Sequence, residues 1–287
     1  MVARIIDGKV VSADVKARVK KAVEQLKEQG IQPCLATVLV GDDPASATYV
    51  RSKQNDAKEV GITTRDHRLP ATFKQNELIE LVRLLNNDPQ IHGILVQLPL
   101  PKHIDEMEII STLSPLKDVD GLTPYNAGML QNGMGLLKPC TPSGIMEMLD
   151  YYKIEVAGID AVVVNRSNLV GKPLSLLLLE KDATVTICHS KTRDLMSRLQ
   201  RADLVVTAVG NRQSFTLTGD MINEGAIVID VGIARLNNRI VGDADFESVR
   251  QKASWVTPVP GGVGLMTRAM LLKNTVTAAS IAKEMSK

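Results

Sequence analysis

Residues 161–173, AVVVNRSNLVGKP, decide how the chain is read. Ala161 to Val164 is an apolar, β-branched run of the kind that fills a parallel strand buried on both faces. Asn165 to Gly171 is a short polar loop. Pro173 suits the first position of a helix, where its missing N–H costs nothing, and Leu174 to Leu179 carries that helix on. Strand, tight loop and helix in this order aim backbone N–H groups and a helix N-terminus at one spot, which suits a phosphate. The same letters also describe an ordinary strand-to-helix turn. The fingerprint GxGxxG is absent, Gly171 being the one glycine of the stretch.

The residues that follow favour the phosphate. Thr184 to Cys188 reads as a second strand ending in His189-Ser190-Lys191. An NAD site places an acid roughly 20 residues beyond the loop to hold the ribose 2′-hydroxyl. Residues 189–193 offer no acid. They offer Ser190, Lys191 and Arg193, with Arg166 back in the first loop. A hydroxyl and a fork of cations fit a 2′-phosphate, so the expected cofactor is NADP.

Composition bounds the rest. A chain of 287 residues that is 44% apolar and 23% charged can bury one large core or two ordinary ones. A net charge of +2 and 3% aromatics give neither the basic footprint nor the stacking platforms of a nucleic-acid binder. Cys34, Cys140 and Cys188 show no CxxC spacing and read as small buried hydrophobes in a reducing compartment, although Cys140, between two prolines, can also line a site. His67, His92, His103 and His189 lack ligand spacing, so no metal is expected. No stretch resembles a signal peptide or a membrane span, and the expectation is a cytoplasmic protein.

Taken in order, Val10 to Gly30 is an amphipathic helix with Val15, Val19, Ala22, Val23 and Leu26 on one face. Leu35 to Val40 is a buried strand. Asp43 caps, and Pro44 starts, a helix reaching about Glu59. On it Tyr49 and Lys53 share a face, with Ser46 a turn earlier. That face opens beside a strand's carboxyl end, where parallel sheets bind ligands. An exposed lysine beside a half-buried tyrosine is the plainer reading of the pair. Glu77 to Asn86 is a helix with Leu78, Leu81, Val82 and Leu85 inward. Gly93 to Leu98 is a strand carrying Gln97, whose amide needs a partner if buried: a backbone group, or the end of Lys53. Lys117 to Gly121 is an acidic turn in which Asp118 and Asp120 are either paired carboxylates or plain turn formers. Leu122 to Pro142 reads as a crossover, and Ser143 to Tyr152 as a helix capped by Ser143.

Strands at 161–164, 184–188, 204–209, 226–231 and 255–257, with helices between, make a doubly wound parallel sheet. Pro258 to Gly264 is a stiff, glycine-rich loop before a final helix. The expected architecture is therefore α/β with two α/β domains, the second Rossmann-like, and a cleft between them. Residues 1–140 form the first domain, rejoined by a C-terminal helix at 266–287, and residues 141–265 form the second.

The collected motifs form a set. Tyr49-Val50-Arg51-Ser52-Lys53, Val96-Gln97-Leu98-Pro99-Leu100-Pro101, Lys117-Asp118-Val119-Asp120-Gly121, Arg166-Ser167 with Val170-Gly171-Lys172-Pro173, and Thr257 through Gly264 occur in one order along both domains. End to end the chain resembles the bifunctional methylenetetrahydrofolate dehydrogenase/cyclohydrolase family. The resemblance implies NADP-dependent oxidation of 5,10-methylenetetrahydrofolate, then hydrolysis to 10-formyltetrahydrofolate, in one-carbon metabolism. It implies Lys53 as the catalytic lysine, Tyr49 against the folate, Gln97 as partner of the lysine and Asp120 as anchor of the pterin ring. Val96 and Leu98 flank that site. Pro260, Gly261, Gly262, Val263 and Gly264 form the loop that closes on folate and nicotinamide. Asn165, Arg166, Ser167 and Ser190 contact NADP, with the Ile233 backbone near its nicotinamide end. A homodimer through the cofactor domain is implied as well.

Three positions depart from the family's pattern: Asn165 for a glycine, which an asparagine tolerant of positive φ can replace, Leu265 for a proline, and Ala244 for a bulkier aliphatic. None removes a side chain assigned to the chemistry. Two other readings stand beside the leading one, a dehydrogenase for a quinate- or amino-acid-type substrate and a silent nucleotide- or folate-binding protein. The YVRSK, QLPLP and DVDG stretches count against the first, and Lys53 with Gln97 against the second.

Overall fold

The computed structural model describes residues 2–236 and 239–285. In chain order the elements are β1 (Arg4–Ile5), α1 (Gly8–Glu28), β2 (Cys34–Val40), α2 (Pro44–Glu59), β3 (Thr63–Leu69), α3 (Gln75–Asn87), β4 (Gly93–Val96), α4 (Glu106–Thr112), α5 (Pro124–Gln131) and α6 (Cys140–Tyr151). Then come β5 (Asp160–Val164), α7 (Gly171–Leu179), β6 (Thr184–Cys188), α8 (Leu195–Leu199), β7 (Leu204–Thr207) and β8 (Ile227–Asp230). The chain ends with β9 (Ala234–Leu236), β10 (Arg239–Val241), α9 (Phe246–Arg250), β11 (Trp255–Val256) and α10 (Val263–Met285). No described helix is long and apolar enough to cross a membrane. The chain divides into two compact units. One is Asp14–Cys140 with Arg268–Lys287, the other Met1–Ala13 with Thr141–Thr267. Residues 286 and 287 of the expected C-terminal helix, and residue 1, lie outside the described residues.

The first unit holds a parallel sheet in the order β3-β2-β4. Central β2, CLATVLV, is buried at every position, as a strand covered on both faces must be. Asp43 caps α2 as expected, accepting from Ser46 N at 2.7 Å, with Pro44 in the first turn. Helix α3 turns Leu78, Ile79, Val82 and Leu85 into the core, so Ile79 rather than Leu81 is the fully buried member. Edge strand β3, TTRDHRL, carries no apolar alternation and has no counterpart in the sequence reading. Its backbone pairs with β2 from Cys34↔Thr63 to Val40↔Leu69. Within the stretch read as a crossover, α5 forms because Thr123 accepts from Asn126 N and Pro124 opens the helix.

The second unit holds an all-parallel sheet in the order β1-β11-β8-β7-β5-β6. The doubly wound sheet expected from the sequence is present. Sequence order reverses at β5, which pairs with β6 on one side and β7 on the other. That is the switch point where such sheets take ligands. The short strand β1 joins by backbone pairing with β11, which no periodicity over two residues can announce. Helix α7 begins at Gly171, not Pro173, and α6 begins at Cys140, which puts Ser143 inside it rather than at its cap.

Candidate functional site

Lys53 lies on α2 with 4% of its surface exposed. A buried ammonium needs acceptors around it. Gln97, one residue past β4, supplies one: Lys53 Nζ donates to Gln97 Oε1 at 3.1 Å. Gln97 is fixed in turn, its N–H donating to Val38 O at 2.9 Å and its side-chain amide to Leu98 O at 2.6 Å. The Lys53 nitrogen also lies 5.2 Å from the centre of the Tyr49 ring, close enough for a cation–π contact.

The turn at 117–121 divides its two acids by task. Asp118 is fully buried, and its Oδ2 accepts from Thr123 N at 2.7 Å and Asn126 Nδ2 at 2.9 Å. Burial pushes its carboxyl above the ordinary carboxylate range, against those hydrogen bonds. Asp118 therefore anchors the turn, whereas Asp120 is half-buried and meets the Cys140 thiol. Gly121 has φ 71°, and a Cβ there would meet the backbone of Leu137 to Pro139.

Asp120 belongs to the same electrostatic neighbourhood as Tyr49 and Lys53. Burial holds the Tyr49 phenol above its ordinary value, with Arg268 opposing and Asp120 adding to the rise. Burial also drives the Cys140 thiol well up, with Asp120 reinforcing the effect and Lys53 opposing it. Cys140 is a buried thiol, donating to Val119 O at 3.3 Å, as the reading of it as a small buried hydrophobe expects. Two neighbours have no place in the sequence reading. Arg268 pairs with Asp56 at 3.2 Å. Asn274 donates to Val119 O at 2.8 Å and to Lys138 O at 2.9 Å, tying down the acidic turn. Both sit on α10, whose sequence mixes polar and apolar residues and so gives no local signal for either.

In the second unit, the ends of β5 and β6 stand side by side in the register Val164↔Cys188. Arg166, Ser190, Lys191 and Arg193 are exposed there. Asn165 does not adopt a left-handed φ. Its side chain accepts from Ser167 N at 2.7 Å and Gly171 N at 3.1 Å and donates to Ala208 O at 2.6 Å, pinning the loop to the end of β7. Gly171 is required, because a Cβ there would run into the Asn165 carbonyl. A preformed loop at a helix start, flanked by exposed cations and a hydroxyl, is the donor set that a phosphorylated dinucleotide needs.

Ile233 is 52% exposed, and its Cδ1 lies 3.8 Å from where a Cβ of Gly264 would stand. Pro260 is exposed and Gly261 has φ 108°, while Gly262 and Val263 are buried. Val96 and Val263 are both buried. Leu265 does not leave its loop untied, since its N–H donates to Gly262 O at 3.3 Å, a bond proline lacks. Lys53, Tyr49, Gln97 and Asp120 therefore share one unit, and residues 165–167, 190, 233 and 260–264 share the other.

Comparison with known proteins agrees with both halves. The model of the tetrahydrofolate dehydrogenase/cyclohydrolase catalytic domain matches residues 6–120, and that of the NAD(P)-binding domain matches residues 139–283. The chain is 63% identical over 282 residues to the bifunctional protein FolD of Nitrosopumilus maritimus, covering 98% of each. It is similar to the crystal structure of the bifunctional enzyme FolD, methylenetetrahydrofolate dehydrogenase/cyclohydrolase, from Campylobacter jejuni. The TM-score is 0.94 and the identity 48%, over 97% of this chain and 99% of that one. The Trypanosoma brucei enzyme (FolD) complexed with NADP cofactor and inhibitor gives a TM-score of 0.93 at 38% identity, over 99% of each.

Proposed function

The chain belongs to the tetrahydrofolate dehydrogenase/cyclohydrolase family, and on that premise we propose a role for each residue of its two sites. The activity itself is bifunctional. The enzyme oxidises 5,10-methylenetetrahydrofolate to 5,10-methenyltetrahydrofolate with NADP and hydrolyses the product to 10-formyltetrahydrofolate.

The Lys53–Gln97 hydrogen bond carries the hydrolytic assignment. Water adds to the methenyl carbon and loses a proton. A second proton must then leave the new hydroxyl while N5 gains one and the carbon–N5 bond breaks. Lys53 is the group for these transfers, with Gln97 holding its nitrogen in place and the Tyr49 ring and hydroxyl orienting the folate. Asp120 accepts from the amino-pyrimidine edge of the pterin. Val96 and Leu98 offer backbone groups beside it, and residues 260–264 close on the ligands.

For the dehydrogenase step NADP, when bound, supplies the hydride acceptor. The protein's part is to orient two rings at reacting distance. Arg166, Ser167 and Ser190 hold its phosphate-bearing half, Asn165 shapes the loop they sit on, and the Ile233 backbone lies near its nicotinamide end. The folate work is assigned to the domain at 1–140 with the helix at 266–287, and the NADP work to 141–265. Assembly as a homodimer belongs to the same reading, supported by family membership and by exposed Leu179, Ile187 and Met196 near the β6 edge. Free, buried Cys34, Cys140 and Cys188 support a cytoplasmic setting.

The test is Lys53→Met assayed for both activities. Loss of cyclohydrolase with residual dehydrogenase supports the assignment. Full retention of cyclohydrolase removes Lys53 from its role.

A further inference from the structure

Two aspartates outside every role given above hold the carboxyl end of the larger sheet. Asp230 closes β8, and Asp243 follows β10. They are 3% and 0% exposed. Their carboxylates bond to main-chain N–H groups from three segments. Asp230 Oδ1 accepts from Gly232 N and Asp243 N, each at 3.0 Å, and its Oδ2 from Ala244 N at 2.8 Å. Asp243 passes the constraint on, its Oδ2 accepting from Val209 N at 2.6 Å and its Oδ1 from Gly210 N at 2.9 Å. The Thr207 hydroxyl adds a longer contact to Asp230 Oδ1 at 3.4 Å. Two glycines make room: a Cβ on Gly232 would enter the Asp243 carboxylate, and one on Gly242 the Asp230 carboxylate.

Burying two carboxylates side by side is unfavourable. What it gains is five N–H bonds that lock the segments after β7, β8 and β10 into a single arrangement. Those segments carry Gly210 and Ile233. The Ile233 carbonyl lies 3.6 Å from where a Cβ of Gly210 would stand, and the Ile233 side chain faces Gly264. A plain turn needs no such clasp; a surface that must hold one end of a flexible dinucleotide does.

We propose that Asp230 and Asp243 are positioning residues for the dehydrogenase step, fixing the Gly210 and Ile233 backbone against the nicotinamide half of NADP, with no part in hydrolysis. This rests on the reading that places the nicotinamide end at Ile233. Asp243→Asn keeps the shape but turns one acceptor into a donor facing an N–H.

The experiment compares wild type and Asp243→Asn in cyclohydrolase rate, in dehydrogenase kcat and KM, and in calorimetric affinity for NADP and for 2′,5′-ADP. The expected result is a loss of about 10- to 100-fold in dehydrogenase kcat/KM for NADP, the worth of a charged hydrogen bond. NADP affinity falls with it, while cyclohydrolase rate and 2′,5′-ADP affinity hold. Unchanged dehydrogenase constants overturn the proposal and leave the cofactor reading standing. Equal loss of both activities reduces the clasp to general structure and also overturns it. Equal loss of NADP and 2′,5′-ADP affinity shows that the adenosine half lies here, so the underlying reading fails instead. Should Asp243→Asn not fold, Asp230→Asn, which retains Oδ1 and gives up the Ala244 bond, must show the same split at smaller size, and its absence overturns the proposal.

Discussion

Lys53 and Gln97, 44 positions apart, meet through one hydrogen bond of 3.1 Å at the carboxyl end of the three-stranded sheet. The bond is directional, because the Gln97 amide nitrogen is engaged by Leu98 O and only its oxygen faces the ammonium. Lys53→Met should lower cyclohydrolase turnover by about 10²- to 10⁴-fold, the range for a positioned acid/base, with a smaller fall in hydride transfer. Gln97→Leu should fall between wild type and Lys53→Met. Steady-state assays of each activity separately check both, and a Gln97→Leu enzyme at wild-type rate would remove the positioning role.

Asp118 and Asp120 are two residues apart and should fail in different ways. Asp120→Ala should weaken folate binding by about 10- to 100-fold with NADP affinity unchanged, because pterin donors lose their acceptor. Asp118→Ala should instead cost about 2–3 kcal/mol of stability, since the Thr123 N–H and one of the two Asn126 amide N–H groups would lose their acceptor in the interior, the other keeping Pro115 O. Calorimetry and urea unfolding separate the two. Similar folate losses without destabilisation in Asp118→Ala would contradict the division.

Gly171 and Gly128 offer a matched pair. A Cβ at Gly171 meets the Asn165 carbonyl, whereas one at Gly128, on α5, meets nothing within 4 Å. Gly171→Ala should therefore destabilise by about 2–3 kcal/mol and weaken NADP binding. Gly128→Ala should stabilise by about 0.5–1 kcal/mol through helix propensity. Thermal unfolding with and without NADP reads both effects.

Asp230 gives the stability a pH signature. Burial raises its carboxyl to about 6, against its backbone hydrogen bonds and with Asp243 adding like charge. From about pH 4 to pH 6 the folded chain keeps a proton that the unfolded chain has released. This group's contribution is thus present at low pH and lost as pH rises through 6, with a ceiling of about 3 kcal/mol. Relative to Asp230→Asn, wild type should lose up to that amount between pH 4 and 6.5 in denaturant titrations. Parallel stability curves for the two proteins would place the titration elsewhere.

Strong local signals were legible in one dimension. β2 shows as an unbroken apolar run, α2 through its Asp43-Pro44 start, and the doubly wound sheet through alternating strands and helices. Tyr49 and Lys53 stand out as polar residues on one helix face and Gln97 as one at a strand end, while Asp120, in an acidic turn, is singled out from Asp118 only by the resemblance. The strands without a readable pattern, β1, β3, β9 and β10, are short or polar and held by backbone pairing, which leaves no side-chain repeat. Arg268, Asn274, Asp230 and Asp243 carry no local signal, because an isolated polar letter, in an apolar run or a turn, does not say what it touches.

The amino-acid order alone determined the periodicity of the strongly patterned elements and the class of sheet, because burial on one or both faces imprints a repeat on neighbouring residues, while the resemblance to a family rested on short motifs occurring in one order. Only the tertiary structure decided that Asp118 anchors its turn, that Asn165 shapes its loop through its side chain, and that Asp230 and Asp243 are linked through the Asp243 N–H while each gathers its own set of main-chain donors. Those outcomes depend on hydrogen bonds between segments far apart in the chain, whose partners local spacing cannot identify.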